Sequence, residues 1–287
     1  MQYPSNKLSD LKVVWFNKLQ KIYPPAEAKQ FINLLILNKL GLSRTDQALQ
    51  IDYRISESEM VWFHQAVKQL LQEKPLQYIL GHTTFYGLPL EVNEAVLIPR
   101  PETEELIELI LKENKQKAPR IIDLGTGSGC IALALKKNLP QAKVKGIDIS
   151  QEALQVAQNN AKALSLEVDF SLCNLLDAKS CIRGEYDIMV SNPPYVTESD
   201  RKSMQKNVLD YEPGLALFVT NVDPLQFYRP IAHLALKHLR QHGKLYVEIN
   251  EKYGTNCAEL FHQKGLKDVQ IHQDIHGKQR FVSASKP

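Results

Sequence analysis

Residues 186–195 read Tyr-Asp-Ile-Met-Val-Ser-Asn-Pro-Pro-Tyr, an apolar run cut off by two prolines. The first half is β-prone and predicts a buried strand. The prolines remove two consecutive backbone donors and fix φ at both positions, so the strand stops there. What results is a stiff corner at a strand's C-terminal end, presenting Asn192 and Tyr195. In an open parallel sheet that end is where ligands bind. A Pro-Pro turn capped by an asparagine is the plainer alternative, and the four residues alone do not decide between the two.

The surrounding chain supplies the sheet. From Arg120 onward strands and helices alternate, which predicts a doubly wound α/β fold. Residues 120–129 form a strand and a glycine-rich turn, Gly125-Thr126-Gly127-Ser128-Gly129, followed by a helix over 131–137. Glycines let the backbone approach a ligand closely, and the helix N-terminus favours a negative group such as a carboxylate. The spacing is Gly-x-Gly-x-Gly with Cys130 in the sixth position, which weakens a nicotinamide-dinucleotide reading; the Gly-Lys-Ser/Thr of a phosphate loop is absent. The next strand, 143–149, carries Asp148, which can accept both hydroxyls of a ribose. Ser150 caps a helix over 151–164. A third strand, 168–172, ends at Asn174 and Leu175, where an adenine ring is expected. Helices over 198–207, 224–241 and 253–263, a strand over 244–249 and two terminal strands complete the pattern.

Before Arg120 the chain is of another kind. Residues 8–72 are helical throughout, with Leu11, Val14, Trp15, Leu19 and Ile22 on one stripe, stops at Pro24-Pro25 and Gly41, and Ser56 as the cap of a helix that runs to about Lys74. His64 sits in that helix without catalytic company. Residues 83–92 read as two short strands about Gly87, a hairpin joining the helical part to the rest. Pro101, ahead of Glu102 and Glu104, is a helix start. Arg100 and Glu102 are either a surface pair at its entry or part of a site.

Composition excludes several classes. The four cysteines show no Cys-x-x-Cys pair and no His-Cys cluster, which argues against structural zinc and a disulfide scaffold and leaves most of them as small buried hydrophobes. No metal site is expected. A formal charge of +3 is too small to call for nucleic acid. Residues 1–10 are polar, and the most apolar helix candidate, 31–42, is broken by Asn33, Asn38 and Lys39. A cytoplasmic protein without membrane contact is expected.

The corner suits alkylation of a planar NH2 group, whose nitrogen is a poor nucleophile because its lone pair is delocalised. Two fixed acceptors hold such a nitrogen and favour its pyramidal form. The side-chain oxygen of Asn192 can be one and the Pro193 carbonyl the other, while Tyr195 offers a ring face for a flat amide or base. Asn-Pro-Pro-Tyr after an apolar strand resembles the catalytic motif of amino-methyltransferases. The glycine turn, Asp148, Asn174 and Asn192 on successive strand ends resemble a class I S-adenosylmethionine methyltransferase, with a Rossmann-like sheet.

The match narrows with Pro75 to Gly81, Phe85 to Leu88, Leu97 to Glu104, Asp123 to Gly129, Asn192 to Tyr195 and Tyr211-Glu212-Pro213, in one order. Together these closely resemble the HemK/PrmC family, the peptide-chain release-factor glutamine N5-methyltransferases. The resemblance implies methyl transfer from S-adenosylmethionine, leaving S-adenosylhomocysteine, to the glutamine of Gly-Gly-Gln in class 1 release factors. It implies donor contacts from Gly125, Thr126, Gly127, Ser128, Gly129, Asp148, Asn174, Leu175 and Asn192. Asn192, Pro193 and Tyr195 would be catalytic, and Asn192, Pro193, Pro194 and Tyr195 would bind the glutamine. Two departures stand out: Asn174 where relatives commonly carry Asp, and Asn250-Glu251-Lys252 where they often carry glycine and then glutamine. The expected division is a helical docking domain over 1–74, a β-hairpin linker over 75–95 and a methyltransferase domain over 96–287, in a monomer. A ribosomal-protein glutamine methyltransferase would share the corner. A nucleic-acid base methyltransferase would need a basic, aromatic-studded groove, which the near-neutral helical part does not offer. A helical adaptor with a vestigial donor fold would not keep every site position filled.

Overall fold

Local chemistry sets the helix starts in the first part of the chain. Ser56 Oγ accepts from the Glu59 N–H while the Glu59 carboxylate accepts from the Ser56 N–H at 2.7 Å, a reciprocal cap that opens the helix Glu57–Leu71. Ser43 and Asp46 repeat it for Arg44–Leu49. With Leu8–Leu19, Pro25–Leu40 and Leu76–Leu80 these helices bury Leu11, Trp15, Leu19, Leu35, Ile36, Phe63 and Leu70, and Trp15 stacks on Phe63 at 4.6 Å. Burial of such side chains is worth roughly 1.5–3 kcal/mol each before the entropy of ordering is set against it.

The structure, a computed structural model, describes residues 5–177, 181–202 and 204–287. It divides into a helical unit, Met1–Gly81 with Lys206–Tyr211, and a sheet unit, His82–Gln205 with Glu212–Pro287. The short helix Lys206–Tyr211 belongs to the helical unit, where the Tyr211 hydroxyl donates to the Gln72 carbonyl at 2.9 Å. Residues 198–207 are therefore not one helix: Glu198–Arg201 and Lys206–Tyr211 belong to different units, and Ser203 lies outside the described residues.

The sheet unit opens with the hairpin His82–Phe85 and Leu88–Glu91. Tyr86 and Gly87 both have positive φ, 47° and 73°, as a tight two-residue hairpin turn requires. Asn160 clamps the hairpin to the next layer: its Oδ1 accepts from the Glu91 N–H at 2.6 Å, and its Nδ2 donates to the carbonyls of Glu91 and Ser128.

Seven strands follow in the main sheet: β1 (Arg120–Leu124), β2 (Lys143–Asp148), β3 (Asp169–Leu172), β4 (Tyr186–Ser191), β5 (Leu239–Glu248), β6 (Lys267–Gln273) and β7 (Gln279–Ser285). Their order is β6-β7-β5-β4-β1-β2-β3, parallel except that β7 runs against both its neighbours. All six residues of β4 are buried, the pattern of a central parallel strand covered on both faces. One apolar cluster gathers Ile122, Met189, Tyr228 and Phe261, and a second gathers Ile107, Leu133, Ile188 and Tyr246. This is the expected doubly wound α/β fold, with N-terminal helices and a small hairpin. The direction of winding reverses between β1 and β4, and ligands bind at such a point.

Two expectations change. The helix expected over 224–241 is confined to Tyr228–His238, because Leu239 already pairs with Tyr186 and opens β5. Cys257 is a buried small side chain as expected, but Cys173 and Cys181 form a disulfide with Cα atoms 5.8 Å apart. Among the described residues no helix is long and apolar enough to cross a membrane.

Candidate active site

Strands β3, β2, β1, β4 and β5 lie side by side and parallel, so their C-terminal ends share one edge. That edge holds the glycine turn after β1, Asp148 at the end of β2, Asn174 and Leu175 after β3, and Asn192 to Tyr195 after β4.

The glycine turn is built as a cradle. Gly125 and Gly127 have φ of 76° and 54°, and a Cβ added to either would meet nothing within 4 Å, so open space faces the backbone there. Gly129 serves packing instead: its Cβ would come within 3.2 Å of Ala157, Leu133 and Phe170. The N–H groups of Gly125 and Thr126 both bond the Ile147 carbonyl, tying the turn to β2. Beneath it Asp123 is fully buried. Its Oδ2 accepts from the Thr126 hydroxyl at 2.6 Å, while Oδ1 makes no well-formed hydrogen bond among the described residues, though the Ala132 N–H lies near the carboxylate. Burial above all, with the nearby Asp148 charge adding to it against the Thr126 bond, pushes the Asp123 carboxyl up to about 7. Ser128 Oγ is a second buried atom without a well-formed hydrogen bond among the described residues, its near neighbour being the Cys130 thiol. Two under-satisfied polar groups under an open glycine turn suit the ammonium and carboxylate of an amino-acid ligand.

Asp148 accepts from the Gly127 N–H at 2.8 Å and the Ser150 N–H at 3.0 Å, one bond to each oxygen, which leaves lone pairs on both for a diol. Burial raises its pKa and these backbone donors oppose the rise. Ile149 beside it is 54 % exposed, a large apolar face at the edge of the cradle. Asn174 is exposed; its Oδ1 accepts from the Leu176 N–H at 3.0 Å and keeps a second lone pair. Leu175 is half-buried against the core.

At the corner, the Ser191 hydroxyl donates to the Leu124 carbonyl at 2.7 Å and joins the ends of β4 and β1. Asn192 is half-buried and its Nδ2 donates to Thr103 Oγ1 at 3.2 Å. Among the described residues no hydrogen bond engages its Oδ1. Pro193 is buried, and Pro194 and Tyr195 are half-buried. The Tyr195 hydroxyl donates to Glu248 Oε1 at 2.9 Å, and burial, followed by the Glu248 charge, raises its pKa well above the usual phenol value, so the ring stays neutral. The Tyr195 carbonyl accepts from Asn250 Nδ2, giving that departure from the family pattern a holding role. Arg100 pairs with Glu212 at 2.6 Å rather than with Glu102, and the Glu212 carboxylate also accepts from the Ile98 N–H at 3.2 Å.

Sequence reasoning missed four residues of this edge: Asp123, Ile149, Thr103 and Glu248. An acid opening the glycine turn and an acid closing the apolar run Leu245 to Val247 were readable signals. Thr103 was readable only as part of the Leu97 to Glu104 run; its contacts were not, because its two partners lie 89 and 145 residues away.

Residues 102–210 match the methyltransferase small domain family, and residues 15–81 match the PrmC N-terminal domain family. A release factor glutamine methyltransferase of Bacteroides thetaiotaomicron is 45% identical over 268 residues, covering 93% of this chain and 96% of that one. The chain belongs to the release factor glutamine methyltransferase family. A second member, from Flavobacterium psychrophilum, is 42% identical over 97% of this chain and 99% of its own. The crystal structure of a methyltransferase from Pyrococcus furiosus shares the fold, with a TM-score of 0.54 at 17% identity over 80% of this chain and 99% of that one. Membership of an S-adenosylmethionine-dependent family carries use of that donor with it.

Proposed function

We propose that this family member transfers the methyl group of S-adenosylmethionine to the side-chain amide nitrogen, N5, of the glutamine in the Gly-Gly-Gln segment of class 1 release factors. The observation that carries the reading is Asn192, whose amide is held by its nitrogen and leaves its oxygen open at the strand corner next to the glycine cradle. When bound, S-adenosylmethionine supplies a methyl group on a positively charged sulfur and leaves as S-adenosylhomocysteine. Gly125 to Gly129 with Asp123 would hold its amino-acid end, Asp148 its ribose, and Asn174 and Leu175 its adenine; Asn192 would face both donor and substrate.

On the substrate side, Asn192 Oδ1 and the Pro193 carbonyl accept the two N–H bonds of the glutamine amide, and Pro194 stiffens the corner. The flat amide lies on the Tyr195 ring. Two acceptors fixed in advance hold the nitrogen where it can attack and stabilise the positive charge that grows on it. The nitrogen turns acidic only as the new bond forms, so its proton passes to solvent and no strong base is required. Residues 1–74 dock the release factor, 75–95 link, and 96–287 carry the chemistry, in a monomer that needs no direct nucleic-acid contact. The reading places the protein in the cytoplasm, where release factors meet ribosomes; a reducing compartment there would keep Cys173 and Cys181 as thiols.

The test is incubation with a class 1 release factor and isotopically labelled donor, followed by peptide mass spectrometry. The label is expected on the Gly-Gly-Gln glutamine, and Asn192→Ala is expected to slow single-turnover transfer by about 10²-fold. Label on another residue, or a variant within a few-fold of the parent, overturns the reading.

A further inference from the structure

Glu248 is the last residue of β5, 1 % exposed, and both carboxylate oxygens point at the corner. Oε2 accepts from the Thr103 hydroxyl at 2.7 Å and Oε1 from the Tyr195 hydroxyl at 2.9 Å. Thr103, 2 % exposed, in turn faces Asn192 Nδ2 at 3.2 Å. We infer that Glu248, acting through the Thr103 hydroxyl, sets which end of the Asn192 amide faces the substrate, and that the same carboxylate fixes the Tyr195 ring. This rests on the role of Asn192 proposed above.

A threonine hydroxyl has a single proton and two lone pairs. Burial raises the Glu248 pKa, but both its oxygens accept hydroxyl protons, and these bonds with the nearby Arg280 charge favour the ionised carboxylate, which only accepts. The Thr103 proton is therefore committed to Glu248, and Thr103 can offer Asn192 nothing but a lone pair. That admits the NH2 end of the amide and turns Oδ1 outward. An amide end is ordinarily assigned from its network rather than seen, and here the network ends on a group of fixed polarity. With a neutral group in place of the carboxylate, the hydroxyl becomes free to donate to Oδ1. The amide can then turn over and present two donors to a glutamine that is itself presenting donors. Water is largely kept from both buried groups and cannot easily replace the missing polarity.

The frame that holds the three side chains is stiff. Pro101 and the Thr103 N–H bond to the Arg100 carbonyl fix the first turn of the helix Pro101–Glu113. The Tyr228 hydroxyl donates to the Glu248 carbonyl at 3.0 Å and pins the end of β5. Glu248 and Thr103 are thus positioning residues: neither is required to touch substrate.

Full-length Thr103→Val, Thr103→Ser and Glu248→Gln, each alone and the first and last also combined with Asn192→Ala, test this on an intact release factor. Valine keeps the shape of threonine and removes the hydroxyl. Thr103→Val and Glu248→Gln are each expected to lower kcat roughly tenfold, as a misaligned reacting pair does, with the KM for donor and the melting temperature little changed. Thr103→Ser is expected to restore most of what Thr103→Val loses. In the Asn192→Ala background Thr103→Val should cost nothing further, because the amide it orients is gone, and Glu248→Gln should keep only the smaller part it exerts through the Tyr195 ring. Parental kcat in Thr103→Val, no rescue by serine, or full additivity with Asn192→Ala overturns the inference while leaving Asn192 catalytic. Should Thr103→Val fail to fold, Glu248→Gln and its combination with Asn192→Ala decide alone. Asn192→Ala at the parental rate instead overturns the underlying reading of the corner.

Discussion

At the scale of single residues, Asp123 combines a destabilising burial with a binding role. It is fully buried, one oxygen makes no well-formed hydrogen bond among the described residues, and burial pushes its carboxyl up to about 7. A folded value above the unfolded one means the folded chain holds the proton more tightly. The favourable contribution is therefore fully present below about pH 4 and is lost as pH rises toward 7. Asp123→Asn removes the charge and keeps an acceptor for Thr126. It is expected to stabilise the donor-free protein at pH 8 by on the order of 2 kcal/mol and to change it little at pH 5, read from melts at both pH values. The same variant should bind S-adenosylmethionine about tenfold more weakly by calorimetry, the scale of a lost charge-assisted contact. Equal gains at both pH values would mean that Asp123 is not the titrating group.

At the scale of elements, the glycines of the turn after β1 and of β2 separate folding from binding. Gly146 lies inside β2, and a Cβ there would sit 2.6 Å from the Phe170 ring and 2.8 Å from Thr126 Oγ1. Gly146→Ala is expected to cost about 1–3 kcal/mol by overpacking, seen as a lower melting temperature. At Gly127, φ of 54° makes alanine strained by only about 1–2 kcal/mol, but the added methyl enters the open cradle. Gly127→Ala is therefore expected to weaken donor binding tenfold or more while the fold survives. Unchanged affinity in that variant would take the turn out of the donor site. This element order, with its glycine turn and strand-end polar residues, was legible because each depends on local spacing. The end of the helix Tyr228–His238 was not: residues 239–241 carry no breaker, and their strand state comes from pairing with a strand fifty residues away. Glu248 was readable as an acid after an apolar run, but its contact with Thr103 was not, since the two meet only when β5 and the helix Pro101–Glu113 are brought together.

At the scale of the whole molecule, charge is divided unequally. Residues 82–287 balance their acidic and basic side chains, so the entire formal charge of +3 resides in residues 1–81. Within the helical unit one groove is lined by Lys12, Val13, Phe16 and Lys29, and an adjoining one by Lys12, Val13, Gln47 and Ile51. Val13 and Ile51 are 59 % and 61 % exposed, so apolar surface lies open between the lysines. A glutamine on a protein loop offers little area, whereas specific recognition of a folded protein takes about 800 Å² from each partner. On the proposal that the helical unit supplies this area, Lys12→Glu combined with Lys29→Glu is expected to raise the KM for intact release factor about tenfold and to flatten its salt dependence. Both side chains reach solvent, so the melting temperature should hold. Donor affinity and methylation of a short Gly-Gly-Gln peptide should stay within about threefold of the parent, because neither uses the helical unit. Comparing kcat/KM on protein and on peptide at two salt concentrations checks this. An equal loss on both substrates would assign the helices to shaping the catalytic edge, and no loss on either would move the docking surface away from these grooves.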